Sequence, residues 1–314
     1  MDTVVEQCVF GSNAADACKA VTRLLRQLED RLSFFRPGSD VRRLNDAAGM
    51  GVPVPISADA MCVLRAALDF ADKSGGAFDI TAAPLSECWR RAAACGEDRA
   101  PDDAALSRAR ALVGSDGLRV DHAAGTAMLL RKCSAIDLGG IAKGYAADCA
   151  IKLYRDLGIE TALINLGGNV GTLGVKPDGQ QWTIGLQDPD AVRGIYFGTL
   201  RVSGVSVVTS GGYERFSVIG NEKHHHIIDP ASGWPTASGM VSVTVIAGES
   251  MCADALSTAI FVLGLERAGS LLAQYPGTEA VLVDTERRIW VTEGAWDNFQ
   301  PTPGYGYSRI LLEK

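Results

Sequence analysis

The sequence predicts an α+β protein whose mixed sheets are largely antiparallel and flanked by helices. Helical and strand patterns are interspersed along the 314 residues, without the regular strand–helix–strand repetition that is typical of a parallel sheet. Glycine-rich runs separate these patterns, and 35 glycines exceed the ordinary proportion of about 7%. We find no internal repeat, low-complexity linker or domain boundary, so we predict a single domain over residues 1–314.

The first third of the chain has the pattern of one strand followed by helices. Residues 3–10 are predicted to form a first strand, and residues 14–32 carry apolar side chains at helical spacing. The run FFRPGSD then interrupts this helix with proline and glycine. The remaining predictions are a helix over 59–74, a short non-helical segment over 78–85, and a surface excursion with a short helix over about 95–117.

Strand patterns dominate from Leu118 onwards. The run over 240–247 is a strong β pattern, rich in β-branched residues. Helices interrupt the strand patterns where apolar residues recur at helical spacing. The predicted strands are 118–122, 126–131, 134–138, 161–166, 182–187, 198–208, 240–247, 279–284 and 288–292, and the predicted helices are 141–158, 250–263 and 266–275.

The composition excludes several classes of function. A net charge of −7 argues against nucleic acid as a partner. The eight cysteines form no CxxC pair, so we expect reduced thiols rather than a zinc site. No apolar run reaches the ~18 residues of a transmembrane helix, and the N-terminus lacks a signal-peptide pattern. As written, the chain is expected to be cytoplasmic, and periplasmic or membrane-anchored only if a leader was removed.

Three glycine-rich motifs are candidate binding loops. AIDLGGIAKGYAAD (135–148) places a diglycine before a helix start, where backbone amides bind phosphate and Lys143 adds positive charge. The alternative is a plain strand–turn–helix with a solvated lysine. NLGGNVGTLG (165–174) fails the dinucleotide fingerprint because strands follow it. In GGAFDITAAPL (75–85), Asp79 either accepts a hydrogen bond from an adenine or ribose group or caps a turn.

A histidine cluster and a helical Asp/Thr pair are the candidates for chemistry. In HHHIIDP (224–230), a histidine with an ordinary pKa near 6.5 can take a proton from a hydroxyl. For any one histidine taken alone, a plain strand position is the commoner explanation. Asp254 and Thr258 are four residues apart in a predicted helix and therefore share a face. Their oxygens suit Mg²⁺, although the threonine hydroxyl can instead bond its own helix.

Together, these motifs resemble the ApbE family of FAD:protein FMN transferases nearly from end to end. No single piece is decisive, but nine in order are very specific. The resemblance implies an ApbE-like, T-fold-like α+β fold. Its pieces are MDT (1–3), LSFFRPGSDVRRLN (32–45), GAFDITAAPL (76–85), AIDLGGIAKGYAAD (135–148), INLGGNVGTLG (164–174), WTIGLQDP (182–189), TSGGYERF (209–216), HHHIIDPASGWP (224–235) and VSVTVIAGESMCADALSTAIFVLG (241–264).

The resemblance implies a Mg²⁺ site and an FAD site. The metal ligands would be Asp254, Thr258 and the carbonyl of Ala142, and Ser257 stands where some members place a second aspartate. Phe35 replaces the tyrosine or tryptophan that is common at its position. The implied FAD contacts are Met1, Phe35, Phe78, Asp79, Thr81, Gly139, Tyr145 and Ile228. Lys143 is added as an FAD contact because its positive charge suits a phosphate.

The resemblance also implies a reaction. His226 would deprotonate a threonine or serine hydroxyl of an acceptor protein that carries the family's target motif. FMN would then pass from FAD to this hydroxyl through a phosphoester bond, and AMP would leave. Two alternatives stay open: a Mg²⁺-dependent FAD pyrophosphatase that yields FMN and AMP, and a non-catalytic FAD-binding protein. His224 and His225 inherit no role.

Overall fold

The contacts of the chain divide it into two compact units. The computed structural model describes residues 3–94, 100–214, 216–219, 222–304 and 306–314. Unit 1 comprises Met1–Arg26, Lys143–Tyr213 and Ser238–Lys314, and unit 2 comprises Gln27–Ala142 and Glu214–Ala237. The single domain over 1–314 stays a prediction.

Helices and strands are interspersed along the chain. The helices of the described ranges are α1 (Ala14–Leu32), α2 (Asp40–Asp46), α3 (Ala58–Lys73), α4 (Ala83–Ala94), α5 (Asp103–Arg110), α6 (Ala142–Asp156), α7 (Ser250–Leu263), α8 (Leu265–Leu272) and α9 (Glu293–Trp296). The strands are β1 (Val5–Phe10), β2 (Val54–Pro55), β3 (Leu118–Asp121), β4 (Thr126–Leu129), β5 (Thr161–Leu166), β6 (Asn169–Leu173), β7 (Trp182–Gln187), β8 (Tyr196–Val202), β9 (Ser206–Gly211), β10 (Phe216–Ile219), β11 (Glu222–His225), β12 (Met240–Ala247), β13 (Glu279–Asp284), β14 (Ile289–Thr292), β15 (Phe299–Pro301) and β16 (Arg309–Leu312).

Unit 1 is built on an eight-stranded sheet. Its order is β1-β5-β6-β9-β12-β13-β14-β16, and each neighbouring pair is antiparallel except β14 with β16. A second, three-stranded sheet has the order β15-β8-β7. Side chains from both sheets form one apolar cluster, in which the rings of Phe197 and Phe299 lie 6.0 Å apart. These sheets confirm the predicted α+β class with largely antiparallel pairing.

Helices α6 and α7 approach each other closely within unit 1. A side chain at Gly144 of α6 would place its Cβ 2.4 Å from the carbonyl oxygen of Ser250 and 2.6 Å from the Cα of Met251. Glycine is therefore required at this crossing. Four residues later, the Asp148 carboxylate accepts the backbone N–H groups of Ser250 and Met251 at 2.6 and 2.8 Å. Asp148 thus satisfies two free amides in the first turn of α7.

Unit 2 contains a three-stranded sheet, a hairpin and several helices. The sheet has the order β2-β4-β3, and β10 pairs with β11. An apolar cluster joins α4, α5 and the hairpin to Ile228. Within the predicted surface excursion, α5 buries Leu106 and Ala109 in this cluster, so the segment contributes to the core; residues 95–99 of that segment lie outside the described ranges.

Two predicted segments were wrong because side chains, not strand partners, satisfy the backbone. Residues 134–138 form no strand, since the Asn45 amide bonds both the N–H of Ile136 (2.8 Å) and its carbonyl (3.0 Å). The segment 78–85 was predicted to be non-helical, but it contains helical residues. Asp79 caps a 3₁₀ turn over Ile80–Ala82, which leads directly into α4.

Two further differences arise at local turns. The predicted strand over 198–208 is two strands in different sheets, because the backbone turns between them at Gly204 with φ of 66°. The FFRPGSD run does end helix α1, but it also starts α2. There the Ser39 hydroxyl accepts the N–H of Arg42 at 3.0 Å and acts as the N-cap.

Across the part of the chain that the structure describes, no helix has both the length and the apolar character needed to cross a membrane.

We expect Gly144→Ala to lower the free energy of unfolding by about 1–2 kcal/mol, because overpacking against rigid backbone outweighs the gain in helix propensity. Urea unfolding measures this change. Gly248→Ala is the control, since its Cβ would meet no heavy atom within 4 Å. A Gly144→Ala variant as stable as the Gly248→Ala variant would contradict the close helix crossing.

We expect the Asp148 carboxyl to make stability fall as pH rises. Burial raises its pKa from 3.8 to about 6, against the lowering effect of the two backbone hydrogen bonds. The folded state therefore binds this proton more tightly than the unfolded state, and the resulting stabilisation is lost between pH 3.8 and about 6. The unfolding free energy of the wild type, minus that of Asp148→Asn, should decrease across this window. A constant difference would refute the raised pKa.

Candidate active site

The charged candidate ligand is Asp254, which is buried on helix α7 in unit 1. Its side chain is 4% exposed. One carboxylate oxygen accepts the backbone N–H of Gly144 at 2.9 Å, and the other lies 3.4 Å from the Lys143 ammonium. An ionised carboxylate at such depth is stable only when it is paired and hydrogen-bonded. The start of α6 supplies both partners, so the structure brings the predicted residues Lys143 and Asp254 together.

A layer of hydroxyl groups lies beside Asp254 in the same unit. The Ser210 hydroxyl at the end of β9 is 2.8 Å from the hydroxyl of Ser257 and 3.3 Å from that of Thr258. Ser257 and Thr258 also donate to the carbonyl oxygen of Asp254, at 2.9 and 3.3 Å. The alternative that Thr258 bonds its own helix is therefore realised, yet its oxygen also faces Ser210.

The chemistry of this donor set suits a hard cation. One carboxylate and the hydroxyls of Ser210, Ser257 and Thr258 offer oxygen ligands only, as Mg²⁺ prefers. Within the described ranges, no group of three or more His, Cys, Asp and Glu side chains forms a metal cluster. A magnesium ion here would thus need further oxygens from water or substrate. Ala142, the other predicted ligand, is the last residue of the first segment of unit 2.

Sequence reasoning missed two residues of this region. Ser210 lies near the end of β9 in the sequence TSGG, whose pattern predicts no role for the serine. Asp148 is four residues after Gly144, so the helical period places both on the face that meets α7. The predicted FAD contact Tyr145 lies between Gly144 and Asp148 in the sequence of α6, and it is half-buried.

In unit 2, a backbone hydrogen bond connects the FDIT segment (78–81) to the residues just before the diglycine (139–140). The Asp79 carboxylate accepts both the N–H and the hydroxyl of Thr81, at 2.7 and 2.6 Å, so it caps a turn as one alternative proposed. Burial raises the pKa of the Asp79 carboxyl. The carbonyl of Ile80 accepts the N–H of Asp137 at 2.8 Å, and Asp137 in turn accepts the N–H of Gly139 at 2.9 Å. These bonds bring the predicted contacts Asp79, Thr81 and Gly139 into one network.

Phe78 and Ile228 are buried in unit 2. The Phe78 ring packs edge-to-face on Phe70 with centroids 6.2 Å apart, and Ile228 belongs to the apolar cluster around Trp89. Their side chains therefore serve the core, and their proposed FAD contacts stay predictions. Phe35 differs, because 68% of its surface is exposed. Met1 lies outside the described residues.

The three histidines have separate environments within unit 2. The His224 ring stacks on Trp89 with centroids 5.1 Å apart. His225 has a ring nitrogen 3.1 Å from the carbonyl oxygen of Thr236, and burial lowers its pKa. His226 follows the end of β11 and is exposed. Packing thus holds the first two histidines, and the third is accessible to a reactant.

Comparisons with known proteins agree with this arrangement of motifs. The FAD:protein FMN transferase of Treponema pallidum is 37% identical over 315 residues, which cover 95% of this chain and 84% of that protein. The one from Klebsiella pneumoniae is 36% identical over 291 residues, which cover 92% and 89%.

Solved structures and a family model extend the likeness to the fold. An ApbE protein from Thermotoga maritima has a TM-score of 0.79 at 29% identity, over 96% of this chain and 94% of that one. The flavin transferase ApbE from Vibrio cholerae has a TM-score of 0.76 at 26% identity, over 90% and 91%. The model of the ApbE family matches residues 1–282. This chain therefore belongs to the ApbE family.

Proposed function

We propose that this chain transfers FMN from FAD to a hydroxyl group of a target protein and releases AMP. The observation that carries the proposal is its 37% identity to the Treponema pallidum FAD:protein FMN transferase over 95% of the chain. The buried Asp254 with its hydroxyl layer, and the exposed His226, are compatible with the metal ligand and the base that this reaction needs.

In the proposed metal site, Asp254 supplies the charged ligand and Thr258 a hydroxyl. The Ala142 carbonyl is the proposed third ligand, and the Ser257 hydroxyl is a further candidate ligand of this site. Bound Mg²⁺ would neutralise charge on the FAD pyrophosphate and on the departing AMP. Lys143, paired with Asp254 at 3.4 Å, can add positive charge toward the same phosphates.

His226 is the proposed general base, and the acceptor hydroxyl is that of a threonine or serine. A neutral imidazole accepts the hydroxyl proton at ordinary pH. The hydroxyl oxygen forms a bond to the phosphorus on the FMN side, and the bond from that phosphorus to the AMP oxygen breaks. The products are a phosphoester-linked FMN-protein and AMP. Of the proposed FAD contacts, Phe35 offers an exposed ring for stacking.

The direct test incubates the purified protein with FAD, Mg²⁺ and a peptide that carries the family's threonine or serine target motif. Mass spectrometry then detects FMN on the peptide, and chromatography detects AMP. Formation of both supports transfer. Release of AMP and free FMN without an adduct would identify a pyrophosphatase, and tight FAD binding without turnover would identify a binding protein.

We expect Asp254→Asn to lower the transfer rate by more than about 100-fold and to remove its stimulation by Mg²⁺, because the charged ligand for a hard cation is lost. A titration of rate against Mg²⁺ concentration measures both effects. Asp156→Asn on α6 is the matched control, since that carboxylate pairs with Lys152 at the surface. An unchanged Mg²⁺ titration in Asp254→Asn would disprove the metal assignment.

We expect His226→Ala to reduce kcat about 10²–10⁴-fold while FAD affinity is retained, because a general base acts on the reacting proton and not on binding. Stopped assays give kcat, and flavin fluorescence gives the affinity. His122→Ala, another exposed histidine of unit 2, should behave as the wild type. If His226→Ala weakens FAD binding and leaves kcat intact, the residue lines the pocket and is not the base.

A further inference from the structure

The exposed aromatic residue Phe35 of unit 2 lies in a hydrogen-bonded turn. Phe35 is 68% exposed, although phenylalanine is among the residues most often buried. The Ser33 hydroxyl accepts the N–H groups of Phe35 and Arg36 at 3.2 and 3.3 Å. The hydroxyl of Ser39 donates to the carbonyl of Ser33 at 2.6 Å. The turn therefore fixes the backbone that presents this ring.

Arg90 of helix α4 holds the side chain as well. Its guanidinium carbon lies 5.3 Å from the centroid of Phe35 and 5.1 Å from that of Phe34, both within the range of a cation–π contact. The two rings meet edge-to-face with centroids 5.1 Å apart and planes at 76°. Arg90 is oriented in turn by Glu87, at 3.2 Å. The three groups form one cluster, and most of the Phe35 surface is open.

Stability alone is a weak reason for this cluster. It removes little of the Phe35 ring from water, so the hydrophobic gain is small. Ordering the Arg90 side chain opposes that gain, because arginine loses much rotamer freedom when it is held. A ring that is fixed and left open is instead suited to stacking on a planar ligand, because the entropy of ordering it is lost before binding.

We propose that Arg90 is a positioning residue for FAD, which holds Phe35 with its open side ready to stack on a planar ring of that substrate. This inference rests on the proposed function. Arg90 acts through Phe35 and touches no reacting atom in this scheme. Its removal should weaken FAD binding about 2- to 10-fold, as expected for the ordering of one side chain, and should leave the chemical step unchanged.

The test compares Arg90→Met with Arg91→Met. Arg91 is the adjacent residue of α4 and pairs with the same Glu87 carboxylate at 3.0 Å, so its loss controls for charge and for the helix. Quenching of flavin fluorescence gives the Kd for FAD without any acceptor, and transfer assays give kcat and the KM for FAD. We expect a higher Kd and KM at constant kcat for Arg90→Met only, with Arg90→Lys between it and the wild type.

A double-mutant cycle tests whether Arg90 acts through Phe35. In a Phe35→Leu background, Arg90→Met should have no further effect on the Kd. An undiminished effect there, or equal Kd values for Arg90→Met and Arg91→Met, would overturn the inference even if transfer proceeds. FAD binding that shows the expected pattern without any transfer would instead refute the proposed function alone, and a chain that does not bind FAD would refute both.

Discussion

The buried carboxylate of Asp254 is the constraint on which the candidate site depends. A charge at this depth requires a cationic partner and hydrogen-bond donors, and both come from the first turn of α6. That turn can reach α7 only because residue 144 has no side chain. The sequence AKG (142–144) therefore meets three requirements of this helix crossing. It starts helix α6, its lysine supplies the ammonium group beside Asp254, and its glycine has no Cβ where the two backbones meet.

At the crossing of α6 and α7, the carboxylates of Asp148 and Asp254 have different roles. Asp254 has the Lys143 ammonium beside it, whereas Asp148 accepts the backbone amides of Ser250 and Met251 and lies near the negative charges of Glu249 and Asp254. Burial consequently raises the pKa of Asp148 to about 6. Asp148 fixes the start of α7, and Asp254 follows one turn further along, where the hydroxyls of Ser257 and Thr258 donate to its backbone carbonyl. Anchoring and candidate ligation are thus separated along a single helix.

Sequence reasoning succeeded for long periodic elements and failed at several turns and at contacts between distant segments. Periodicity located α1 and α7, whose spans match the predicted 14–32 and 250–263, because the apolar face repeats along each helix. It missed that Asn45, 91 residues away in the chain, satisfies the backbone of Ile136. The roles of Ser210 and Arg90 could not be predicted for the same reason, because the residues that they contact come from other segments. The family resemblance named Asp254 and His226, and the structure adds that His224 and His225 are packed while His226 is exposed.

The exposure of His226 constrains how the proposed reaction selects its acceptor. A base that is open to solvent is also open to water, so its own burial does not favour a protein hydroxyl over hydrolysis. Selectivity must then come from the acceptor, whose hydroxyl gains effective concentration when it is held beside the imidazole. On the proposed function, the bound acceptor protein is itself the element that excludes water.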